Sequence, residues 1–345
     1  MEPIIKWKGI KILEVRDDYL IGVKKYRLYK YDLKTEKWSK YAKVYDPSFM
    51  HKLFRATWLT TRMTRTEINK WYLLQDGSEL CIARKGIFRK PKDSDTFVKT
   101  YDVPRGSRPM NLCVANDGTV LLGEYFQNLE KKSVNVYRST DHGQTWSICY
   151  TFPEGNINHI HGLFKDPYTG RIWIATGDRE NECILGYSED NFNTVTEVLR
   201  GGQDYRSCIM FFYKDYIVYA TDSQYQRNKI KKIDRKTLEV TDLQEVQGPV
   251  IRGSQSGNFA YISTDVEESE VNLDKDAYVW YSKDGLSWKE LCHAEKDCLH
   301  EIYFQYGVFD LPTYNMTKDV SMVYVTGKAM KKADNITWGF EAKKL

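Results

Sequence analysis

The sequence contains no long apolar run. No stretch approaches the roughly 20 apolar residues that a membrane-spanning helix needs. The opening residues, MEPIIKWKGIKILEV, also lack the apolar core of a secretion signal. These two absences predict a protein that does not span a membrane and that is cytoplasmic.

The sequence also lacks a strong charge of one sign. Its 51 lysines and arginines nearly balance its 47 aspartates and glutamates, which leaves a net charge of +4. No block of basic residues stands out along the chain, and such a block is typical of a nucleic-acid-binding tail. We therefore expect no nucleic-acid partner.

Cysteines are few and do not form the pattern of a disulfide framework. There are seven, an odd number, and no two are spaced as Cys-x-x-Cys. Most lie inside apolar, strand-like runs, which predicts buried thiols in a reducing compartment. The alternative is a single bridge between Cys292 and Cys298 across a loop.

Helical periodicity is missing as well. No window longer than about ten residues places apolar side chains at helical spacing, which argues against a two-domain α/β protein. Aromatic residues, in contrast, are abundant: 25 tyrosines, 14 phenylalanines and 9 tryptophans. Since aromatic side chains pack well in strands, the composition predicts an all-β protein, which we expect to form one domain over residues 1–345.

A short turn motif recurs in the chain. STDHGQTW at 139–146 has the form S-x-D-x-G-x-T-W, SKDGLSW at 282–288 is one residue shorter, and SEDNFNTV at 188–195 keeps Ser, Asp and Thr. Ser and Asp side chains accept backbone N–H groups in a tight hairpin, and glycine supplies positive φ. The motif predicts structural roles for Ser139, Asp141, Gly143, Trp146, Asp190, Asp284 and Trp288.

This motif resembles the Asp-box, or BNR repeat, of sialidases and related β-propellers. The resemblance implies a sialidase-like β-propeller in which the Asp-box turns join the third and fourth strands of a blade. It also implies that the active site lies on the opposite face, where first strands begin and second strands end.

Hairpin turns recur with a period close to 49 residues. We place them near residues 34, 93, 142, 191, 235, 285 and 333, and the 345 residues hold seven such units (7 × 49 = 343). Each unit contains four short strand-like segments, which predicts a single propeller of seven blades. Six blades is the alternative, because sialidase-like propellers usually have six.

Polar residues recur where the first strands begin, and carboxylates recur where the second strands end. Both positions open onto one face, so these side chains should converge on a central funnel. Arginines there would hold a substrate carboxylate, and acidic and histidine side chains would transfer protons. For each aspartate taken alone, capping of a turn is the alternative role. The predicted catalytic residues are His159, His161, Asp178, Asp222 and Glu124, and the predicted substrate-binding residues are Arg108, Arg206, Arg252, Gln203 and Gln224.

The segment NHIHG holds two histidines with one residue between them. In a strand, His159 and His161 share a side, because side chains alternate between the two faces. Such a pair suits a divalent metal ion, a base or hydrogen-bond donor to sugar hydroxyls, or a structural pair bonded to the backbone. No spacing identifies further metal ligands among His300, Glu124 and Asp178, so the sequence leaves all three roles open.

The resemblance to sialidases does not extend to their catalytic pattern. LFRATW contains Phe54 and Arg55 without the Ile-Pro that follows in sialidases, and no Tyr–Glu nucleophile pair can be assigned. Two classes of function follow. The first, which we favour, is a glycoside hydrolase or lyase that acts on a carboxylate-bearing glycan in the funnel. The second is a non-catalytic propeller that binds a glycan or a protein through the same face.

Overall fold

The computed structural model describes every residue from Met1 to Leu345, and strands make up most of its regular structure. The strands of the N-terminal half are β1 (Ile5–Lys8), β2 (Lys11–Arg16), β3 (Tyr19–Lys24), β4 (Arg27–Asp32), β5 (Lys37–Val44), β6 (Lys70–Leu73), β7 (Glu79–Ala83), β8 (Gly86–Lys90), β9 (Thr96–Asp102), β10 (Cys113–Val114), β11 (Val120–Gly123), β12 (Val134–Ser139) and β13 (Ser147–Phe152).

The second half of the chain continues the same pattern. Its strands are β14 (His159–Lys165), β15 (Ile172–Gly177), β16 (Cys183–Ser188), β17 (Thr196–Gly201), β18 (Ser207–Phe212), β19 (Tyr216–Thr221), β20 (Asn228–Asp234), β21 (Val240–Val246), β22 (Val250–Ser256), β23 (Phe259–Thr264), β24 (Asp276–Ser282), β25 (Lys289–Glu295), β26 (Val308–Asp310), β27 (Thr313–Asn315), β28 (Met322–Lys328) and β29 (Ile336–Glu341). The helices are short: α1 (Phe49–Phe54), α2 (Trp58–Thr64), α3 (Glu301–Phe304), and 3-10 turns at Gln203–Tyr205 and Ala342–Lys344.

The strands pair into antiparallel sets of four. Four sheets have the orders β10-β11-β12-β13, β14-β15-β16-β17, β18-β19-β20-β21 and β22-β23-β24-β25. A nine-stranded sheet joins the sets β2–β5 and β6–β9 edge to edge, and β27 adds to it beside β2. The last sheet has the order β1-β29-β28-β26, so the N-terminal strand is its outer strand.

The first strands of these sets surround one central cavity of about 440 Å³. Residues of β2, β6, β10, β14, β18, β22 and β26 line it, and we call this cavity the central funnel. Four-stranded antiparallel sheets whose inner strands surround a common axis form a β-propeller. The fold predicted from the sequence is therefore confirmed. The blade number of seven stays a prediction, because two of the four-stranded sets share one sheet.

The burial of each strand follows from its place in the set. The second strand β15, with sequence IWIATG, is buried along its whole length because neighbouring sheets cover both of its faces. The fourth strand β17 lies at the rim and has no fully buried residue. Apolar runs in the sequence thus mark inner strands, and polar, alternating runs mark the rim.

Two sequence predictions about connections are wrong. The turn near Ala333 joins β28 to β29, the second and third strands of the last sheet, because β1 supplies the fourth. The repeat also predicts a first strand in the segment CLHEIYFQYG at 298–307, but residues 301–304 form α3, and the inner strand is β26. A four-residue helix carries too little periodicity to be told from a strand.

The recurring Ser-x-Asp turns join third and fourth strands, as predicted. The carboxylate of Asp141 accepts hydrogen bonds from the backbone N–H groups of Gln144 and Thr145 at 3.0 and 2.9 Å, and from the Thr145 hydroxyl at 2.6 Å. Asp190 and Asp284 accept the equivalent backbone bonds in their own turns. These side chains replace backbone partners that a tight hairpin lacks.

Other residues of the motif stabilise the turn through a further hydrogen bond and through packing of the tryptophan side chains. The Ser139 hydroxyl accepts a 2.8 Å hydrogen bond from the backbone N–H of Gly143, whose φ is +81°. The indole of Trp288 is buried against Phe211. Trp146 is half-buried and packs on a tyrosine of the neighbouring sheet.

Replacing Asp141 by alanine is expected to lower the free energy of unfolding by about 2 kcal/mol, since several backbone and hydroxyl donors lose their acceptor. Urea unfolding followed by circular dichroism measures this loss. The control is Asp93→Ala, in the turn between β8 and β9, because the Asp93 carboxylate is exposed and accepts no hydrogen bond. Equal stability of the two variants would contradict the structural role of Asp141.

All seven cysteines are free thiols, and the Cys292–Cys298 bridge is not formed. Cys292 is buried, whereas Cys298 is exposed. Among the helices, none combines the length and the apolar character that crossing a membrane requires.

Candidate functional site

The ends of inner strands bring the predicted site residues together. His159, the first residue of β14, lies opposite Gly177, the last residue of β15, so Asp178 follows beside it. The same pairing of β18 with β19 places Arg206 and Asp222 at the corresponding edge of the next sheet. First-strand starts and second-strand ends therefore open on one face, as the register of the sequence predicts.

The two imidazoles face each other. The Nε2 atoms of His159 and His161 are 2.9 Å apart, and both side chains are buried. The Nδ1 atom of His159 lies 2.9 Å from the carbonyl oxygen of Phe126, and that of His161 lies 3.1 Å from the carbonyl oxygen of Ser207. Tyr125 covers His159, with 4.4 Å between ring centroids. Each ring is thus fixed on its Nδ1 side by the backbone of a neighbouring segment.

Asp178 completes this arrangement. Its Oδ1 atom lies 3.1 Å from Nε2 of His161 and 3.4 Å from Nε2 of His159, and Oδ2 accepts a 2.8 Å hydrogen bond from the Asn158 amide. Burial acts to raise the pKa of Asp178. Hydrogen bonds from the two histidines outweigh that effect, so the pKa of this carboxyl lies below its usual range. Asp178 is therefore ionised at neutral pH.

Arg206 connects this cluster to Asp222. Its Nη2 atom is 3.1 Å from Oδ1 of Asp178 and 3.5 Å from Oδ2 of Asp222. The Cys208 thiol donates to the same Asp222 oxygen at 3.3 Å. Burial acts to lower the pKa of Arg206, but the two carboxylates raise it above its usual range. Its Nε and Nη1 groups have no acceptor, so Arg206 can donate to a further group.

Two groups of side chains place ligand atoms close enough to hold one metal ion. The first is His159, His161 and Asp178, and the second is His161, Cys208 and Asp222; within each, the ligand atoms lie within 4.8 Å of one another. His300 belongs to neither group, because it caps the N-terminus of α3 and is exposed.

The two predicted glutamines lie apart from the imidazoles. Gln203 is buried behind Asp178: its Nε2 donates to the Asp178 carbonyl oxygen at 2.7 Å, and its Oε1 accepts from Ser223 at 2.9 Å. Gln203 therefore holds the backbone that carries Asp178. Gln224 donates to the hydroxyl of Tyr225 at 3.1 Å and makes no hydrogen bond to the cluster.

The structure does not bring Glu124 into the cluster, where the sequence prediction placed it. The side chain is buried, and it forms a two-pronged ion pair with Arg105. It also accepts hydrogen bonds from the backbone N–H of Asn135 at 2.7 Å and from Tyr137 at 3.1 Å. Because successive residues of a strand face opposite sides, its neighbour Tyr125 contacts the histidines and Glu124 points away.

The three predicted arginines do not converge on one point. Arg108 and Arg252 line the central funnel, whereas Arg206 lies beside the histidines. Arg252 is held by Asp310 at 2.8 Å and by Asp265 at 2.9 Å. Arg206 is therefore absent from the funnel wall that carries the other two arginines, and the substrate-binding role of all three stays a prediction.

Lysines that are not among the predicted site residues also line the funnel. Lys11 and Lys328 share the carboxylates of Glu67 and Asp310, with nitrogen–oxygen distances from 2.7 to 3.5 Å. Nothing local distinguishes these lysines from surface lysines. The one signal was their place, at the start of an inner strand for Lys11 and at the end of a second strand for Lys328.

Lys70, the first residue of β6, differs from the other cations of the funnel. Its ammonium group forms no hydrogen bond and no ion pair. Burial lowers its pKa to about 8, and nearby Arg252 and Lys11 add to that effect while Asp310 opposes it. The funnel therefore holds a cation that lacks an anion of its own.

Two further carboxyl groups near the cluster have pKa values close to neutrality. Burial raises the pKa of Asp265 to about 7 against the opposing effect of Arg252. Burial and the charge of Asp222 raise the pKa of Glu267 to about 7. Glu267 lies in the loop after β23, where a glutamate is too common to indicate a site from the sequence. Both groups can exchange a proton near pH 7.

Comparisons with known proteins give a fold and no family. No family model matches the chain, and no curated protein matches it.

Among solved structures, a chain of the mitotic checkpoint complex has a TM-score of 0.57 at 10% identity, covering 99% of this chain and 92% of that chain. YCF48 bound to D1 peptide has a TM-score of 0.57 at 11% identity, covering 99% and 98%. A puromycin hydrolase mutant complexed with PGG has a TM-score of 0.53 at 11% identity, covering 88% of this chain and 50% of that chain. At such identities the likeness concerns the fold alone, and this chain is a β-propeller.

Proposed function

We propose that this β-propeller binds a carboxylate-bearing glycan in its central funnel and cleaves it as a hydrolase or lyase. The observation that carries the proposal is the excess of cations in the funnel. Six cations line the funnel, and the carboxylates that pair with them number three: Lys11, Lys70, Arg108, Lys165, Arg252 and Lys328 against Glu67, Asp265 and Asp310. Since a buried cation without a partner is costly, a ligand anion beside Lys70 would be strongly favoured.

The shape of the funnel supports a small ligand. A cavity of about 440 Å³ is of the size that encloses small molecules. Asn69 lies next to Lys70 on the funnel wall, and its side-chain amide forms no hydrogen bond within the protein. An ammonium group, a guanidinium group from Arg108 and a free amide match a sugar carboxylate and its neighbouring hydroxyls.

The catalytic half of the proposal depends on proton-transfer groups at the same face. Glu267 and Asp265 have pKa values of about 7, and His161 lines the funnel wall. A carboxyl group poised near neutrality can act as a general acid, and an imidazole can act as its partner. The three Ser-x-Asp turns further support a place in the Asp-box superfamily, and the free thiols support a reducing, cytoplasmic location.

Calorimetry with short uronic-acid oligosaccharides tests the binding, with neutral oligosaccharides of equal length as the comparison. Hydrolysis is followed by new reducing ends, and lyase action by the absorbance of an unsaturated product. Lys70→Met is expected to weaken binding at least tenfold, whereas Lys214→Met, on an exposed turn, should leave it unchanged. Equal affinity for acidic and neutral sugars would overturn the proposal.

The affinity for an acidic ligand is expected to fall as the pH rises through about 8. Protonated Lys70 attracts an anion and neutral Lys70 does not, so binding raises the pKa of Lys70 and is strongest below that pH. Lys70→Arg should keep its affinity at pH 9, because arginine remains charged. Calorimetry between pH 6 and 9 checks this, and a flat profile for the unaltered protein would contradict it.

A second function is favoured by one specific observation, an apolar surface on the short helices. The exposed side chains of this surface are Phe49, Met50, Leu53, Trp58, Leu59 and Met63, joined by Ile302 and Tyr303 of α3. Phe49 is 69% exposed and Trp58 is 47% exposed. Exposed apolar patches of this kind mark protein contacts, which fits a non-catalytic, protein-binding propeller. Trp58→Asp is expected to weaken the binding of such a protein partner and to leave sugar binding in the funnel unchanged.

A further inference from the structure

We propose that His159, His161 and Asp178 bind one divalent transition-metal ion. The metal can bind without a glycan, although one of its proposed ligands, His161, also lines the funnel that the glycan proposal uses. This inference assigns the histidine pair to one of the three roles that the sequence left open.

The first step is the tautomer of each ring. Both Nδ1 atoms face backbone carbonyl oxygens, at 2.9 Å for His159 and 3.1 Å for His161. A carbonyl oxygen can only accept, so each Nδ1 carries the hydrogen and donates it. A ring held in this way can offer its Nε2 lone pair to a metal ion, which then takes the place of the contact between Nε2 and Asp178. Backbone carbonyls that orient histidines in this way are typical partners of metal-binding imidazoles.

The second step is the convergence of these lone pairs. The Nε2 atoms are 2.9 Å apart, and Oδ1 of Asp178 lies 3.1 and 3.4 Å from them. Acceptor atoms at these distances repel one another unless a proton or a metal ion lies between them. A tetrahedral zinc ion, with bonds of about 2.0–2.2 Å, separates its ligand atoms by about 3.3–3.5 Å. The triangle observed here is close to that size.

The third step concerns the groups that orient Asp178, the net charge of the cluster and its access to solvent. Arg206 Nη2 forms an ion pair with Oδ1 of Asp178 at 3.1 Å, and Asn158 donates to Oδ2 at 2.8 Å, so the carboxylate is oriented from two sides. With Asp222 included, two carboxylates and one guanidinium give the cluster a net negative charge before a metal binds. The side chain of Asp178 is 26% exposed, which leaves a path from solvent.

The donor set indicates the class of metal. Two imidazole nitrogens and one carboxylate oxygen suit zinc and other first-row divalent ions, whereas magnesium and calcium prefer oxygen ligands. The alternative group of His161, Cys208 and Asp222 is less suited, because the Cys208 thiol already donates its hydrogen to Asp222. Three protein ligands leave a metal with an open position, as in catalytic sites.

Zinc chloride titrated into chelator-treated protein tests the proposal by calorimetry, together with elemental analysis of the protein as purified. We expect one zinc ion per chain. His161→Ala and Asp178→Asn should weaken zinc binding at least 100-fold. The matched control is His51→Ala, which removes another histidine–aspartate pair, His51 with Asp46, that has no third ligand.

Cobalt(II) provides a second readout that needs no variant. Its visible spectrum reports four- or five-coordinate ligation by nitrogen and oxygen, and zinc should displace it at one equivalent. If the unaltered protein binds no zinc, or if His161→Ala and Asp178→Asn bind it as tightly as His51→Ala does, the proposal is wrong and a shared proton joins the two rings. Retained zinc binding with no sugar binding would overturn only the proposed glycan function.

Discussion

Glu124→Ala is expected to lower the free energy of unfolding by about 3–4 kcal/mol. The substitution leaves the half-buried Asn135 N–H and the buried Tyr137 hydroxyl without their acceptor, at about 1–3 kcal/mol each. It also removes the partner of Arg105, which is partly exposed and can be rehydrated, so we add little for that charge. Urea unfolding measures the loss.

The matched control for Glu124 is Glu154→Ala, since Glu154 is an exposed residue of the loop that leads to β14. It should unfold at the same urea concentration as the unaltered protein. At low temperature, folded Glu124→Ala should bind zinc and acidic sugars as before, because Glu124 contacts neither site. Unchanged stability with lost turnover would instead restore the catalytic role predicted from the sequence.

Lys90→Met is expected to lower the free energy of unfolding by about 3–5 kcal/mol. Lys90 and Glu79 form a buried ion pair, with 2.8 Å between Nζ and Oε1. Without the ammonium group, the Glu79 carboxylate stays buried with only the Tyr41 hydroxyl and the Trp71 indole as donors. Thermal and urea unfolding both measure this cost.

A double variant separates the lost charge from lost packing. In Lys90→Met with Glu79→Gln, the amide oxygen accepts from the Trp71 indole, the amide N–H donates to the Tyr41 hydroxyl, and no charge is left unpaired. We expect most of the stability to return. If the double variant is as unstable as Lys90→Met alone, the cost lies in the packing of the lysine stem. Lys92→Met, on the exposed turn that follows, should change nothing.

The sequence predicts those parts of the fold that are stabilised by interactions between residues close together in the chain. The Ser-x-Asp turn is recognisable because its hydrogen bonds join residues within five positions of each other, as Asp141 and Thr145 show. Buried second strands such as IWIATG are recognisable because both faces are apolar. Comparison of the repeated units then predicts the strand register, which brings His159, His161 and Asp178 to one edge of their sheet.

The remaining features depend on contacts between distant residues. Lys70 differs from any surface lysine only through the inner strands that surround it. Glu124 was misplaced because a one-residue error in phase at the end of a strand moves a side chain to the other face. The fourth strand of the last sheet was misread because β1 lies at the other end of the chain.

That last pairing has a consequence for how the protein is made. During synthesis β1 leaves the ribosome long before its partner β29, and at about 5–20 residues per second the interval between them is roughly 20–70 s. Throughout that time the ring is open, and the edge of β1 and the face of Trp7 that stacks on Tyr324 lack their final partners. Ring closure is thus a late folding event, and until it occurs the unpaired strand edge is open to pairing with other chains.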